Sequence, residues 1–117
     1  MNIYDTANRL AEEFRNSDEC VRLRELREKA YSDETNRLLL DEYKRLQMRL
    51  QMTMASGAGQ MPSEDMQRYQ KLAALMFMNS VVQAYLMAEL QMQKTLADVF
   101  KILTDASGVH LEIPSGM

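Results

Sequence analysis

One long stretch of the chain carries almost no charge. Between Leu72 and Gln93 the only charged residue is Glu89, although Asp, Glu, Lys and Arg make up 26% of the sequence. A surface helix of this length would hold roughly six charges along one face. The stretch also lacks proline and glycine, so it is typical of a helix covered on nearly all sides. Because a chain of 117 residues has few other helices to cover it, we expect a second subunit to supply part of the cover.

Size, cysteine usage and hydropathy narrow the class of protein. The length fits one domain, and we expect a single helical domain over residues 1–107 with a partly ordered tail over 108–117. A lone cysteine, Cys20, fits a reducing compartment, and the N-terminus lacks the pattern of a secretory signal, which predicts a cytoplasmic protein. The uncharged run contains Asn79, Ser80 and Gln83 and is shorter than the ~20 apolar residues of a membrane helix. We therefore expect no membrane span.

Apolar spacing predicts an all-α protein, an antiparallel helical bundle or long helical hairpin of four to five helices. Spacings of 3 and 4 predict helices over about 3–15, 18–30 and 33–55, and Ser56 to Pro62 form a loop long enough to reverse the chain. Ser17 and Ser63 have the character of N-caps. The remaining helical run is too long for so small a domain, so we expect a break at Asn79-Ser80, whose side chains compete for backbone hydrogen bonds.

The helix after Asn79 bears two apolar stripes, which indicates two packing partners. The first stripe contains Val82, Leu86, Leu90, Ala97, Phe100 and Leu103. The second contains Val81, Tyr85, Ala88, Met92, Val99 and Ile102.

Residues with catalytic or metal-binding chemistry are few and scattered. Cys20 lies on an apolar helical face with no histidine near it in sequence, which is typical of a buried packing residue. His110 is the only histidine and falls in the predicted tail, so one Cys and one His cannot supply the four ligands of a usual zinc site. Where two carboxylate residues are adjacent in the sequence, their side chains point in different directions around a helix, so they do not form an acid–base pair. We expect no enzyme activity, no cofactor and no metal.

The methionines are unusually concentrated. Nine of the eleven lie between Met48 and Met92. A single methionine is more simply explained as core filler, but a cluster on a segment with few charges favours an interface, because flexible thioethers accommodate imperfect partners. The basic residues Arg22, Arg24, Arg27 and Lys29 are interleaved with Glu25 and Glu28, which favours an ion-paired exterior over an RNA-binding stripe.

The block from Asn79 to Glu89 resembles a signature of the YlbF/YmcA (Com_YlbF) family of small helical bacterial proteins. The matching residues are Asn79, Val81, Val82, Tyr85, Leu86, Ala88 and Glu89. Weaker likeness, over roughly residues 3–104, includes Ser17, Glu19, Leu23, Leu38, Leu39, Tyr43, Leu46 and Gln47. The resemblance implies an all-helical fold, association into dimers or higher complexes, and non-enzymatic regulation of competence, sporulation, biofilm formation and ribonuclease-dependent mRNA processing. Members linked to an iron–sulfur cluster supply several cysteines, so we do not transfer the cluster to a chain that has only Cys20.

Residues and resemblance together predict a non-catalytic helical adaptor that acts through protein–protein contact and forms a homo-oligomer, most simply a dimer. The predicted contact residues are Met76, Met78, Val81, Tyr85, Glu89 and Met92. We expect partners of the same family or its complex, and neither direct nucleic-acid binding nor membrane binding. The alternatives are a small helical chaperone that holds clients on a Met-rich face and, third, an RNA-binding module.

Overall fold

Five helices and short connections make up the part of the chain that the computed structural model describes, residues 2–57, 59 and 62–109. They are α1 (Ile3–Asn16), α2 (Asp18–Tyr31), α3 (Glu34–Ala55), α4 (Ser63–Phe77) and α5 (Ser80–Ser107), and these described residues contain no strand. The all-α prediction is confirmed, with the number of helices and the break before Ser80 that the sequence indicates. Residues 110–117 of the predicted tail, which include His110, lie outside the described residues, whereas Gly108 and Val109 are described.

The helix ends follow local capping chemistry. Ser17 begins α2 by accepting a hydrogen bond from the Cys20 amide at 3.2 Å, and Asp33 accepts from the Asn36 amide at 3.0 Å to begin α3. Gly57 follows α3 at a φ of 73°, a conformation that glycine adopts without a steric penalty. The predicted cap at Ser63 is wrong: Pro62 occupies the N-cap without a side-chain hydrogen bond, and Ser63 is already the first helical residue.

The chain divides into two compact units. One unit contains Met1–Leu26 and Tyr85–Met117, and the other contains Arg27–Ala84. The division falls within α2 and within α5, so it does not coincide with a linker. The single domain over residues 1–107 stays a prediction.

The unit Arg27–Ala84 is built on a hairpin of α3 and α4. These helices make the main helix–helix contact among the described residues. Their facing sides bury Leu40, Leu46, Leu72 and Met76. The rings of Tyr43 and Tyr69 stack with centroids 5.2 Å apart and hydroxyl oxygens 3.1 Å apart. The α3–α4 connection therefore reverses the chain as the Gly- and Pro-containing loop predicts.

The other unit contains α1, the first part of α2 and most of α5. Its buried side chains are Leu23, Tyr85 and Met92. Arg24 donates to the Arg15 carbonyl at 3.0 Å across the corner between α1 and α2. Helix α1 has a regular apolar side but contains no buried residue, which means that an amphipathic helix is left largely uncovered.

No single helix among the described residues has the length and apolarity to cross a membrane; only α4 and α5 taken together, with the break between them, are long and apolar enough by length and composition alone.

Candidate interaction surfaces

The six predicted contact residues fall into two environments. Met76, Tyr85 and Met92 are buried within the single chain. Val81 and Glu89 are half-buried, and Met78 is exposed beside the exposed Phe77 at the end of α4. Packing within the single chain therefore already buries these three residues, without a second subunit. That all six form an interface stays a prediction, with Met78 as the member whose side chain is open to a partner.

Glu89, the single charge in the apolar stretch, is held by a neighbour on its own helix. The Tyr85 hydroxyl donates to Glu89 Oε2 at 2.7 Å, one helical turn away. Tyr85 is 1% exposed, so this hydrogen bond lies next to the core. It gives the buried hydroxyl an acceptor, and a buried hydroxyl without one would cost free energy.

Asn79 joins two elements of the unit Arg27–Ala84. Its Oδ1 accepts from the Val82 amide at 3.1 Å and caps α5, while its Nδ2 donates to Asn36 Oδ1 at 2.6 Å on α3. The sequence predicts the helix break here, but the link to Asn36 spans 43 positions and has no sequence signal. This amide fixes the start of the apolar helix α5 against the hairpin.

The methionines of α3 define an exposed surface, here called the α3 methionine face and made of Arg45, Met48, Arg49 and Met52. These residues follow one another at spacings of 3, 1 and 3, so they lie on one side of the helix. Leu40 and Leu46 point from the other side into the hairpin core. Met48 and Met52 are 63% and 67% exposed, so their side chains do not pack in the hydrophobic core.

The α3 methionine face also has a shallow groove of about 470 Å³, completed by Thr53 and Ser56. Arg49 lies at its edge and pairs with Asp65 of α4 at 2.9 Å, so its guanidinium is anchored. The thioether groups form an apolar floor with Arg45 at its border, while the charge of Arg49 is already balanced by Asp65. Such a surface can accommodate an apolar side chain that lies next to an acidic group.

The sequence predicts a methionine-rich interface at residues 76–92, away from the α3 methionine face. The regional enrichment is visible in the sequence, but burial separates Met76 and Met92, which are core residues, from Met48 and Met52, which are not. A helical wheel of α3 alone could have found this surface, because Met48 and Met52 lie opposite the leucine side.

Other candidate groups do not converge on a site within the described residues. Cys20 is half-buried, and Arg24 Nη1 lies 3.3 Å from its Sγ. No group of three or more His, Cys, Asp or Glu residues in the described ranges could hold a metal ion. Arg24 also bonds to the Arg15 carbonyl, so this member of the basic stretch is engaged within its own unit.

Comparison with known proteins agrees with this helical architecture. A family model described as "Control of competence regulator ComK, YlbF/YmcA" matches residues 3–106. A UPF0342 protein of Halothermothrix orenii is 33% identical over 103 residues, which cover 88% of this chain and 86% of that protein. A UPF0342 protein of Clostridium tetani is 30% identical over 115 residues, 98% of each chain.

A solved structure has the same fold. It is described as a protein of unknown function (DUF964) from Bacillus stearothermophilus, with a TM-score of 0.76, 24% identity, and coverage of 91% of this chain and 92% of that one. The family match extends over nearly the whole sequence, including the Asn79–Glu89 block that carries the resemblance. This chain belongs to the Com_YlbF (YlbF/YmcA) family, which is named for control of a competence regulator.

Proposed function

We propose that the protein is a non-catalytic helical adaptor that acts in bacterial regulation by binding another protein through the α3 methionine face. The observation that carries the proposal is the exposure of Met48 and Met52 on the side of α3 opposite the hairpin core. Exposed thioethers at helical spacing have no role in packing the hairpin, and such surfaces are frequent in proteins that accommodate partner side chains. The lone cysteine is consistent with a cytoplasmic location for this adaptor.

Family membership supports a regulatory role. The family is named for control of a competence regulator. The resemblance also implies roles in sporulation, biofilm formation and mRNA processing, and we extend these regulatory roles to this chain. The charge of the surface narrows the kind of partner. Arg45 borders the methionines, whereas the charge of Arg49 is balanced by Asp65, so we expect the matching surface to present an apolar side chain with an Asp or Glu opposite Arg45.

The test is affinity capture from lysate of the native cells with the tagged full-length chain, read by quantitative mass spectrometry. The variant Met52→Glu places a negative charge within the methionine face. The matched control is Met54→Glu, because Met54 is equally exposed, at 67%, but lies on a different side of α3. We expect one or two stoichiometric partners with the wild type and with Met54→Glu, and a large loss of them with Met52→Glu.

Two results would contradict the adaptor. Equal capture by Met52→Glu and Met54→Glu would remove the methionine face from the interaction. Turnover of a substrate by the purified wild type, lost on substitution of a titratable residue, would replace a binding role with an enzymatic one.

A chaperone is the second candidate, favoured by the openness of the same groove. A groove on the outside of one helix can hold unfolded client segments as well as a folded partner. A broad set of sub-stoichiometric clients in the capture experiment, together with suppressed aggregation of a denatured test protein, would favour the chaperone over the adaptor.

A further inference from the structure

Exposure divides the methionines of the described residues into two groups. Met76 and Met92 are buried, at 4% and 9% exposed, and the others are exposed, among them Met48 and Met52 of the α3 methionine face. A peroxide must reach the sulfur atom in order to oxidise it, so susceptibility to oxidation follows exposure of the thioether. The two sulfur atoms of the face are therefore open to oxidants, whereas the packing of the core shields those of Met76 and Met92.

The two exposed thioethers belong to one binding surface. Met48 and Met52 lie about one helical turn apart on the same side of α3 and line the same groove of about 470 Å³. Leu40 and Leu46 fill the hairpin core from the opposite side of this helix. A chemical change at the two sulfur atoms therefore alters the floor of the groove and leaves the core of the hairpin intact.

Arg45 places a hydrogen-bond donor beside these sulfur atoms. It lines the groove one turn before Met48 and forms no ion pair with another of the described residues. The hydroxyls of Thr53 and Ser56 donate instead to backbone carbonyls of α3, at 2.9 and 3.0 Å. A thioether accepts hydrogen bonds only weakly, so the reduced face leaves the Arg45 guanidinium available to an acidic group of a partner.

Oxidation would add a strong acceptor next to this donor. Hydrogen peroxide transfers one oxygen atom to the sulfur: a sulfur lone pair forms the S–O bond, the O–O bond breaks and water leaves. The thioether is oxidised by two electrons and the peroxide is reduced by two. The product is a polar sulfoxide. At position 48 the sulfoxide oxygen lies three residues from Arg45 on the helix surface, a spacing at which side chains meet.

We propose that Met48 and Met52 form a reversible oxidation site, at which a peroxide converts both thioethers to sulfoxides and prevents the α3 methionine face from binding its partner. This inference rests on the proposed adaptor function and adds its regulation. The sulfoxides make the apolar floor polar, and the sulfoxide at position 48 engages the Arg45 guanidinium that the partner's acidic group requires. Methionine sulfoxide reductases reverse the change: two thiols are oxidised to a disulfide, and the oxygen leaves as water.

The first test measures which sulfur atoms react. The full-length chain carries Cys20→Ala, so that no thiol consumes the oxidant, and is sampled over time in dilute hydrogen peroxide by peptide mapping. Sulfoxide at Met48 and Met52 should form about tenfold faster or more than at Met76 and Met92, while circular dichroism shows an unchanged helix content. Oxidation of the face as slow as that of the two core residues would overturn the inference.

The second test measures binding. The oxidised, tagged chain is freed of peroxide with catalase and used for capture from dialysed native lysate, beside the reduced chain. Capture of the partners that the reduced chain retains should fall by about tenfold or more, because each sulfoxide places a polar group in an apolar contact. Treatment of the oxidised chain with methionine sulfoxide reductases A and B before capture should restore the partners.

Matched variants assign the effect to the face. Met48→Leu/Met52→Leu keeps the floor apolar without a sulfur atom, so its capture should survive peroxide. Met54→Leu/Met78→Leu removes two other exposed sulfur atoms and should lose capture on oxidation as the wild type does. Equal sensitivity of the two double variants would overturn the inference. Restoration by the reductases, read against the sulfoxide remaining at positions 48 and 52, decides the question even where the leucine variant binds weakly.

These outcomes separate the oxidation site from the adaptor. Full capture by a chain whose Met48 and Met52 are completely oxidised, with capture by the reduced chain still sensitive to Met52→Glu, would refute the oxidation site and leave the proposed function standing. Equal capture by reduced Met52→Glu and Met54→Glu would refute the proposed function itself, and the regulation that rests on it.

Discussion

Tyr85 illustrates how a single hydroxyl can stabilise a mostly apolar helix. Its ring is part of the core, while its hydroxyl donates to the Glu89 carboxylate at 2.7 Å. Tyr85→Phe keeps the ring but leaves the half-buried carboxylate without this donor. We expect the free energy of unfolding to fall by about 1–2 kcal/mol, measured by urea denaturation. Tyr4→Phe, at an exposed position in α1, is the control and should change nothing; equal midpoints for the two variants would show that the bond does not contribute.

Tyr43 provides a pH-dependent signal for the α3–α4 hairpin. Burial, followed by the hydrogen bond and charge interaction with Tyr69, raises the pKa of Tyr43 from 10.0 to about 12. A raised pKa means that the folded state retains a proton that the unfolded state has lost. The contribution of the protonated Tyr43 hydroxyl to the free energy of unfolding is therefore fully present below pH 10 and is lost as the pH rises from 10 to about 12.

The measurement is tyrosinate absorbance during an alkaline titration, together with urea midpoints at several pH values. We expect one tyrosine to ionise at about 12 in the wild type, and this late transition to be absent in Tyr43→Phe. A wild-type titration in which every tyrosine ionises near 10 would contradict the expected effect of burial.

At the scale of helices, Asn79 separates α4 from α5 and fixes the start of α5. Asn79→Ala removes both the cap on the Val82 amide and the bond to Asn36, and should lower the free energy of unfolding by about 2 kcal/mol. Asn79→Ser retains a capping oxygen but is too short to reach Asn36, so it should cost about 1 kcal/mol. The two variants are compared by urea denaturation. Equal losses would assign the whole effect to the contact with Asn36.

Helix α3 shows how one element can have two roles. Leu40 and Leu46 pack against α4, whereas Met48 and Met52 are exposed on the opposite side. Replacing either leucine changes the stability of the hairpin, while replacing either methionine leaves the hairpin core untouched. Stability and partner capture can thus be altered independently on one helix.

At the scale of the whole molecule, one chain leaves many of its large hydrophobic side chains exposed. Among the described residues nine hydrophobic side chains are buried, while eighteen large hydrophobic ones are exposed. Exposure on this scale is typical of a protein with an interaction surface. Self-association, which the sequence predicts, should make the melting temperature rise with protein concentration, since a tenfold increase stabilises an associating pair by about 1.4 kcal/mol.

Differential scanning fluorimetry over a concentration series checks this prediction. A wild-type melting temperature that does not change with protein concentration would show that folding is not linked to association.

The sequence by itself determined the helices and the family. Apolar spacings of 3 and 4, together with cap residues such as Ser17 and Asp33, are local signals, and helix boundaries depend mainly on such neighbours. The break at Asn79 was predictable for the same reason. The Asn79–Glu89 block also carried enough of the family pattern to place the chain in the Com_YlbF family.

Only the tertiary structure decided which apolar residues the chain covers for itself. Met76 and Met52 are chemically the same, but one lies in the α3–α4 core and the other is exposed. Leu96 follows Met92 on the same helical side and yet loses its cover. Periodicity states which residues share a side of a helix, whereas burial depends on which distant helix reaches that side. For that reason the sequence predicted an interface at residues 76–92, whereas the fold buries Met76, Tyr85 and Met92 and leaves Met52 and Leu96 exposed.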